Sequence, residues 1–414
     1  MNTITTFEEH GEVLPFWQST IKEPATLLYF DRHLDLKLIS KAKIQKIHQR
    51  VEKNQSLNTL NRDIPCREDE KYAYGLDDFL YAAIDLSMFK KIIWVSPVIK
   101  HQNNINDLGK VFWTLLSLIP HHGNEIIDSF KKYPFGIEVK IKNTTLMITT
   151  INNLKYMQLY KESNLITDID LDFFYNLENK NLYYKLDQVL QILKENKVTD
   201  SIKTMTYSIK SGFLPESYRR LSGILSHKLD MRLISNPARN HSLPIETMAA
   251  LSSRKPLDQK YLNYLQEKEL DILSGIGWKL RSLLFVQMGQ LSEAEKCYYR
   301  AREQGDEAFW AAYNIGMSYM KQKNYEHALK WLQQTKDVVD TIQAHSLILQ
   351  ILCHLHLENF EYGLSLAHNT LEILPMRTEI YELIEIFCKK MNMKESHYVY
   401  YKEKSQKINQ LLKT

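Results

Sequence analysis

The sequence predicts an α/β domain with a mostly parallel sheet, followed by an all-α solenoid of helical repeats. The sheet is predicted because apolar, strand-like runs alternate with stretches of helical periodicity through residues 1–255. The solenoid is predicted because small and aromatic residues recur about every 34 residues after Gly277. Pro256, in the sequence R-K-P-L-D-Q-K, marks the boundary, so we divide the chain into residues 1–255 and 256–414.

The composition argues against several classes of protein. The formal net charge of the 414 residues is only +4, and basic residues are interspersed with acidic ones, so we expect neither a nucleic acid nor a membrane as partner. The four cysteines lie far apart without a C-x-x-C pair, which is typical of reduced thiols in a cytoplasmic protein. The first residues do not resemble a signal peptide, and no apolar run reaches the roughly 18 residues of a membrane span.

The first predicted strands are short apolar runs. Residues 27–30 read Leu-Leu-Tyr-Phe, and residues 92–95 read Ile-Ile-Trp-Val before a closing Ser-Pro pair. Between them, residues 41–53 and residues 77–88 have the composition or the apolar spacing of helices. These elements predict a strand–helix–helix–strand order at the start of the sheet.

The remaining elements of the α/β domain follow the same alternation. Further strands are predicted at 137–141, 146–150, 165–174, 204–209 and 232–234, the first two joined as a hairpin across 142–144. Further helices are predicted at 108–119, 183–195 and 217–229. In such sheets, ligands bind beyond the carboxyl ends of the strands.

Three metal-capable side chains follow the first predicted strand. Asp31, His33 and Asp35 occupy alternate positions, and in an extended segment they point the same way and converge on one point. An imidazole between two carboxylates suits manganese, iron or zinc as a divalent ion. The alternative is a polar strand end whose charges are solvated.

A second acidic group lies in residues 165–174, L-I-T-D-I-D-L-D-F-F. Asp168, Asp170 and Asp172 fall on one face of the predicted strand and would repel each other unless a cation or solvent separates them. A buried strand offers little solvent, which favours a metal ion. A further candidate ligand is His10, in F-E-E-H-G-E.

These motifs resemble those of the arginase/deacetylase superfamily. Its metal-dependent ureohydrolases carry an upstream His, then D-x-H-x-D, then D-x-D at the end of a later strand. The chain is closer to the group that includes the peptide arginases, because it shares with them E-E-H, D-F-L-x-A-A-I, I-I-W-V-x-P, D-I-D-L-D-F-F and S-x-x-S-G-F-x-P. The resemblance covers residues 7–240 and implies an arginase-like three-layer domain.

The resemblance also implies two metal ions per chain, with manganese (Mn²⁺) as the metal. The first ion would be held by His10, Asp31, Asp35 and one of the late aspartates. The second would be held by His33, Asp31 and a late pair, either Asp168 with Asp170 or Asp170 with Asp172. The strand-end position favours the second pair slightly.

The catalytic residues implied by the resemblance are Asp35 and His48. Two cations activate a water molecule for attack on a planar carbon, such as the guanidinium carbon of arginine, which gives urea and ornithine. His48 resembles in its spacing the proton-shuttle histidine of arginases, although an exposed His in a basic helix explains it as well. The substrate-holding Glu of arginases has no clear counterpart: Arg232 lies in that region, and Glu216 and Glu246 are only nearby.

The C-terminal repeats resemble the tetratricopeptide pattern. The first unit contains Trp278, Gly289 and Ala294, and the second contains Gly316 and Ala328, with further units after them. In that pattern small residues let paired helices pack closely, and the array presents a groove to a peptide or protein. An ordinary helical bundle is the alternative.

Together these observations predict an enzyme, a metal-dependent hydrolase of non-peptide C–N bonds. Its sharpest form is a dinuclear manganese enzyme that converts arginine in a peptide or protein into ornithine, with the substrate held by the helical repeats. Hydrolysis of another C–N bond, such as an amide, stays open. The rival class is an interaction protein that binds a partner through the repeats and has a vestigial hydrolase domain.

Overall fold

The chain is described from a computed structural model. The structure describes residues 2–62, 71–97, 115, 118–176, 180–211, 213–236, 275–335, 341–375 and 377–411. Contacts between residues divide the chain into two compact units. All the strands named below lie in the first unit. The predicted boundary at Pro256 lies outside the described residues.

The first unit is built on a nine-stranded sheet with the strand order β11-β1-β10-β7-β2-β3-β6-β5-β4, beside a small β8-β9 ribbon. The strands are β1 Thr3–Phe7, β2 Ala25–Phe30, β3 Phe89–Val95, β4 Lys131–Tyr133, β5 Gly136–Ile141, β6 Thr144–Thr149, β7 Leu165–Asp170, β8 Tyr175–Asn176, β9 Asn181–Leu182, β10 Ile202–Thr206 and β11 Arg232–Ser235. All pairs from β11 to β6 are parallel, and only β6-β5 and β5-β4 are antiparallel. The predicted mostly parallel sheet and its hairpin are confirmed.

Helices accompany the sheet, and two of them, Val13–Thr20 and Gly123–Asp128, were not predicted from the sequence. They are α1 Val13–Thr20, α2 Lys41–Glu52, α3 Phe79–Asp85, α4 Gly123–Asp128, α5 Leu186–Glu195 and α6 Arg220–Leu229. The helix predicted at 108–119 falls almost entirely on residues that the structure does not describe. The other four predicted helices of this domain are present, each shorter than its prediction at one or both ends.

The sheet is covered on both faces, which makes the first unit a three-layer α/β/α domain. Every residue of β2 is buried, as expected for a central parallel strand. On one face, Leu28 belongs to a core cluster with Val189 of α5 and Leu225 of α6. On the other side, the ring of Trp17 in α1 contacts the rings of Phe79 in α3 and Phe89 in β3, at 5.7 and 4.9 Å between centroids.

Two strand predictions near the acidic motifs are wrong in extent. The strand predicted at 165–174 ends at Asp170, because the Asp170 carboxylate accepts the backbone N–H of Asp172 (3.1 Å) and begins a 3-10 helix, Leu171–Phe174. The extended segment predicted after Phe30 is also interrupted: β2 ends there, and Asp35 has a φ of 48°. Asp31, His33 and Asp35 therefore do not share one strand face.

Four neighbouring parallel strands, β1, β10, β7 and β2, end at the same edge of the sheet. The residues that follow them are Glu8 to His10 after β1 and Asp31 to Asp35 after β2. Asp170 ends β7, and Ser208 follows β10. The metal-capable motifs, which are far apart in sequence, are thus brought together at one carboxyl edge, as such sheets predict.

The second unit contains paired helices. They are α7 Gly275–Gln287, α8 Leu291–Glu303, α9 Phe309–Lys321, α10 Tyr325–Leu332, α11 Thr341–His356, α12 Phe360–Ile373, α13 Thr378–Lys390 and α14 Val399–Leu411. The first helices of successive pairs begin 34, 32 and 37 residues apart, at Gly275, Phe309, Thr341 and Thr378. The predicted all-α solenoid of helical repeats is confirmed.

The packing within the repeats explains their sequence pattern. A Cβ atom on Gly316 of α9 would lie 2.8 Å from Leu332 of α10, so only glycine permits this approach of the two helices. Tyr298 of α8 packs edge-on against Trp331 of α10, with 4.9 Å between ring centroids. Small residues at crossings and aromatic residues between pairs are the features from which the repeats were predicted.

Two predictions from composition concern thiols and membranes. Cys297, Cys353 and Cys388 are free thiols and buried, in line with the predicted reduced cysteines, whereas Cys66 lies outside the described residues. Within the described ranges, no helix combines the length and the apolar character needed to cross a membrane.

Candidate metal centre

Two groups of ligand-type side chains form at the carboxyl edge of the sheet, and they share one residue. The first group is His10, Asp31 and Asp170, and the second is Asp31, His33 and Asp172. Within each group, one ligand atom from every residue lies within 4.8 Å of the others. Asp31 is fully buried and belongs to both groups, so its carboxylate lies between them.

His10 is the centre of the first group. Its Nδ1 atom lies 2.9 Å from Asp31 Oδ2, 3.1 Å from Asp170 Oδ2 and 3.2 Å from Asp35 Oδ2. One imidazole nitrogen carries at most one proton, so it cannot satisfy three carboxylates by hydrogen bonding. Two ligands of one metal ion, each about 2.1 Å from it and at right angles, lie about 3.0 Å apart, and these distances match that spacing.

The second group is more open to solvent. His33 Nδ1 lies 2.9 Å from Asp172 Oδ2 and 3.9 Å from Asp31 Oδ1, and the His33 side chain is 37% exposed. Although His33 is close, Asp172 Oδ2 is buried and makes no hydrogen bond of acceptable geometry. Backbone N–H groups of Arg32 and His33 donate to Asp172 Oδ1 (3.3 Å) and Asp31 Oδ1 (2.6 Å), which fixes both carboxylates.

Asp168 occupies a different position from the other late aspartates. Its Oδ2 atom is 2.6 Å from His10 Nε2, on the opposite side of the ring from Nδ1. Thr204, its register partner on β10, donates a short hydrogen bond to its other oxygen. An ionised carboxylate only accepts, so Nε2 carries the proton and Nδ1 is left to face the three other carboxylates. Of the two pairs left open by the sequence, this geometry favours Asp170 with Asp172 as ligands and makes Asp168 the partner that orients His10.

Several residues of the site were not among the predicted ones. Tyr29 is fully buried, and its hydroxyl donates to Asp31 Oδ2 (2.5 Å) and lies 3.1 Å from Asp35 Oδ2. Its position two residues before Asp31 is the alternation of a strand face, a signal available in the sequence. The indole N–H of Trp94 donates to the backbone carbonyl of Asp31 (3.0 Å) from the neighbouring strand β3.

The segment after β10 closes around the site. Ser208 donates its hydroxyl to Asp170 Oδ2 (2.6 Å), and the backbone N–H of Ser211 donates to Glu9 Oε1 (2.7 Å). The ring of Phe213 packs against His33, with 4.6 Å between centroids. These residues belong to the S-x-x-S-G-F motif, whose role as a wall of the site the sequence alone does not reveal.

The electrostatics of the carboxylates follow from burial. Burial, with the negative charges of Asp35 and Asp172, raises the pKa of Asp31 well above its ordinary value. Burial and Asp172 likewise raise the pKa of Asp170 to about 6. Asp172 is the exception, because His33 outweighs the effect of burial and lowers its pKa.

The two histidines show how the charge is balanced without a cation. Burial opposes the protonation of His10, but Asp168 and Asp170 outweigh it and raise its pKa well above 6.5. Burial also opposes the protonation of His33, and Asp172 outweighs it and raises that pKa. The protons on His10 and His33 thus offset part of the negative charge that a divalent cation would offset, and binding of such a cation would release these protons.

The donor set suits a pair of hard or borderline divalent ions. Each group offers carboxylate oxygens and one imidazole nitrogen, the combination that manganese, iron and zinc accept. The Nδ1 atom of His10, which three carboxylates surround, and the Oδ2 atom of Asp172, which makes no hydrogen bond, are atoms that such ions would use. The residues present therefore fit the two ions implied by the resemblance.

Two predicted residues are not brought to this site, and a third lies outside the described residues. His48 Nε2 lies 2.5 Å from Asp85 Oδ2. Asp85 is the last residue of α3, shortly before β3 begins, so His48 lies at the edge of the sheet opposite the carboxyl ends of the strands. Its assignment as a proton shuttle does not fit the structure. Arg232 is exposed at the start of β11, also at the opposite edge from the candidate ligands. Glu246 lies outside the described residues.

Comparisons with known proteins identify no family for the chain. No family model matches the sequence, and no curated protein matches it. One similar solved structure, "MamA RS-1 ArsTM double mutant", is 15% identical, covers 40% of this chain and 91% of its own, and has a TM-score of 0.33. Another, "MamA 41-end from Desulfovibrio magneticus RS-1", is 17% identical, covers 40% of this chain and 90% of its own, and has a TM-score of 0.31.

Proposed function

We propose that the protein is a dinuclear, manganese-dependent hydrolase of a non-peptide C–N bond. The observation that carries the proposal is the pair of ligand groups that share the buried carboxylate of Asp31. Two-metal hydrolases use such a shared carboxylate to hold both ions a few ångströms apart. Five buried aspartates and one buried histidine at one point have a large free-energy cost unless cations or protons compensate them.

Some residues of the site would bind the ions, and others keep the ion-binding side chains in position. His10, Asp31, Asp35 and Asp170 would hold one ion, and Asp31, His33, Asp170 and Asp172 the other. When bound, such ions act as Lewis acids that make a hydroxide nucleophile available near neutral pH. Asp168 keeps the His10 ring in place, and Ser208 directs the Asp170 carboxylate through its hydroxyl. Asp35 contacts only the first group and is the candidate to face the reacting carbon.

The proposed substrate is arginine within a peptide or protein, converted to ornithine with release of urea. The resemblance to the peptide-arginase group supports this choice, and the helical repeats supply a candidate surface for holding a polypeptide. Hydrolysis of an amide is the second form of the same proposal, because it uses the same nucleophile and the same metal pair. No residue that would select between them is identified within the described ranges.

The first experiment is a measurement of metal content. The protein is purified, loaded with manganese and dialysed, and bound metal is measured by mass spectrometry beside Asp35→Ala and the control Asp187→Ala. Asp187 is an exposed aspartate of α5 whose side chain is 79% exposed. We expect about two manganese ions per chain in the wild type and the control, and loss of metal in Asp35→Ala.

The second experiment separates the enzyme from an interaction protein. Urea release from arginine-containing peptides is measured for the same three proteins, and ornithine is detected by mass. Activity in the wild type and Asp187→Ala, but not in Asp35→Ala, supports the proposal. A chain that stays metal-free in excess manganese contradicts it and favours a binding protein that acts through its repeats.

A further inference from the structure

Arg32, between the ligand residues Asp31 and His33, has a guanidinium group without an anionic partner. Its Nη1 atom is buried and makes no hydrogen bond, and within the described ranges the side chain forms no ion pair. Other arginines of the unit differ. Arg62 donates to both Asp77 and Asp78, and Arg219 pairs with Glu8 and Glu216.

Arg32 lies beside the second ligand group. The backbone N–H of Arg32 donates to Asp172 Oδ1 at 3.3 Å, which fixes the residue beside that carboxylate. The Asp172 carboxylate nevertheless forms its ion pair with His33 and none with the Arg32 guanidinium, so the guanidinium nitrogens lie beyond ion-pair distance of it.

An unpaired, partly buried guanidinium is costly, since it loses hydration without gaining a counter-charge. The group that matches it best is a carboxylate, whose two oxygens accept two parallel N–H bonds from the planar guanidinium. Asp31 and Asp172 cannot provide this match if both hold metal ions. The missing anion is then supplied from outside the chain.

We propose that Arg32 binds a carboxylate of the substrate, close to the group that is hydrolysed. This inference rests on the proposed function, because it takes the substrate to reach the second ligand group. The carboxylate has two possible sources, the C-terminal carboxylate of an arginine or the side chain of an acidic residue beside it. In either case Arg32 selects acidic over neutral substrates and does not take part in the reaction itself.

Two pairs of peptides test the inference and separate the two sources. Acetyl-Gly-Arg with a free carboxylate is compared with its amide, and acetyl-Asp-Arg-amide is compared with acetyl-Asn-Arg-amide. Binding to the manganese-loaded protein is measured by calorimetry, and urea release is measured separately. In one of the two pairs, we expect the acidic peptide to bind about ten-fold to a hundred-fold more tightly than its neutral partner.

Variants assign that preference to Arg32. Arg32→Gln should remove the preference and leave the affinity for the neutral peptide unchanged, and Arg32→Lys should keep part of it, because lysine retains the charge but not the planar fork. Arg220→Gln is the matched control, because Arg220 is an exposed arginine of α6. If Arg32→Gln loses manganese, the comparison of Arg32→Lys with wild type carries the test.

Each outcome either supports or overturns the inference. If neither pair shows a preference, or if Arg32→Gln retains it, the inference is wrong. A fall in kcat with the neutral peptide in Arg32→Gln also overturns it, since Arg32 would then act on the reaction. If the preference depends on Arg32 but no peptide releases urea, Arg32 is a carboxylate-binding residue and the proposed function fails.

Discussion

Asp168 illustrates how one carboxylate can control a site without binding a metal. Because it accepts from His10 Nε2 at 2.6 Å, it fixes both the orientation of the ring and the position of its proton. Loss of such a partner usually lowers metal affinity about 10-fold to 100-fold. We expect Asp168→Ala to weaken manganese binding by about that factor, measured by titration with a competing chelator.

The conservative variant Asp168→Asn is the control for this prediction. An asparagine oxygen can still accept the Nε2–H bond, so it should restore most of the manganese affinity that alanine loses. Under a purely structural role of Asp168, the two variants would lower the free energy of unfolding without changing metal affinity. Equal affinity of wild type and Asp168→Ala would therefore contradict the orienting role.

Single residues of the site differ in how far the sequence could predict them. Asp168 and Asp170 lie on the predicted strand β7, and strict alternation places both on one face. Alternation fails for His33 and Asp35, because β2 ends at Phe30 and the chain turns. Alternation alone therefore indicated candidate ligand residues, whereas their division into two groups was predicted only from the resemblance. The unpaired state of Arg32 depends on contacts in space that no local pattern contains.

At the scale of elements, the sequence missed the existence of one strand beside the site, β1, and misplaced the end of another, β7. The run L-I-T-D-I-D-L-D-F-F alternates throughout, yet the strand stops at Asp170. A side-chain carboxylate that accepts the backbone N–H two residues later competes with the strand ladder, and that competition begins the 3-10 helix at Leu171. His48 was misassigned for a related reason, because spacing along a helix does not reveal which edge of the sheet the helix end approaches.

Two helical glycines give a paired test of packing against propensity. Gly316→Ala in α9 gains about 1 kcal/mol of helix propensity, but its Cβ would lie 2.8 Å from the Cγ of the fully buried Leu332. Overpacking of this kind costs about 1–3 kcal/mol, so we expect a net loss of stability. Gly223→Ala in α6 has no heavy atom within 4 Å and should gain about 0.5–1 kcal/mol.

Hydrogen exchange of the peptides that cover each helix measures these changes separately, because each glycine belongs to a different compact unit. Exchange in α9 should become faster in Gly316→Ala, and exchange in α6 should become slower in Gly223→Ala. Stabilisation by both substitutions would mean that Leu332 moves aside without cost, and the close approach of α9 and α10 would then not require glycine.

At the scale of the whole molecule, the sequence predicted the class of both parts but not the order of the strands. Alternating strands and helices indicate a parallel sheet, and the repeat spacing indicates the helical array. The neighbours β1 and β10, however, are almost 200 residues apart in sequence. Such pairings depend on long-range packing of the helical layers, which no local pattern encodes. This order is what brings His10 to the aspartates.

Metal binding should stabilise one unit of the molecule and leave the other unchanged, because every candidate ligand lies in the first unit. A ligand at a hundred times its Kd stabilises the state that binds it by about 2.7 kcal/mol. With manganese at about a hundred times its Kd, amides of β2 and β7 that exchange through global unfolding of the first unit should therefore exchange about a hundred-fold more slowly than in the metal-free protein. Exchange in α7 to α14 should not change, and Asp35→Ala should show no slowing anywhere. Equal slowing in both units would mean that they unfold together, whereas no slowing in the wild type would contradict the metal centre itself.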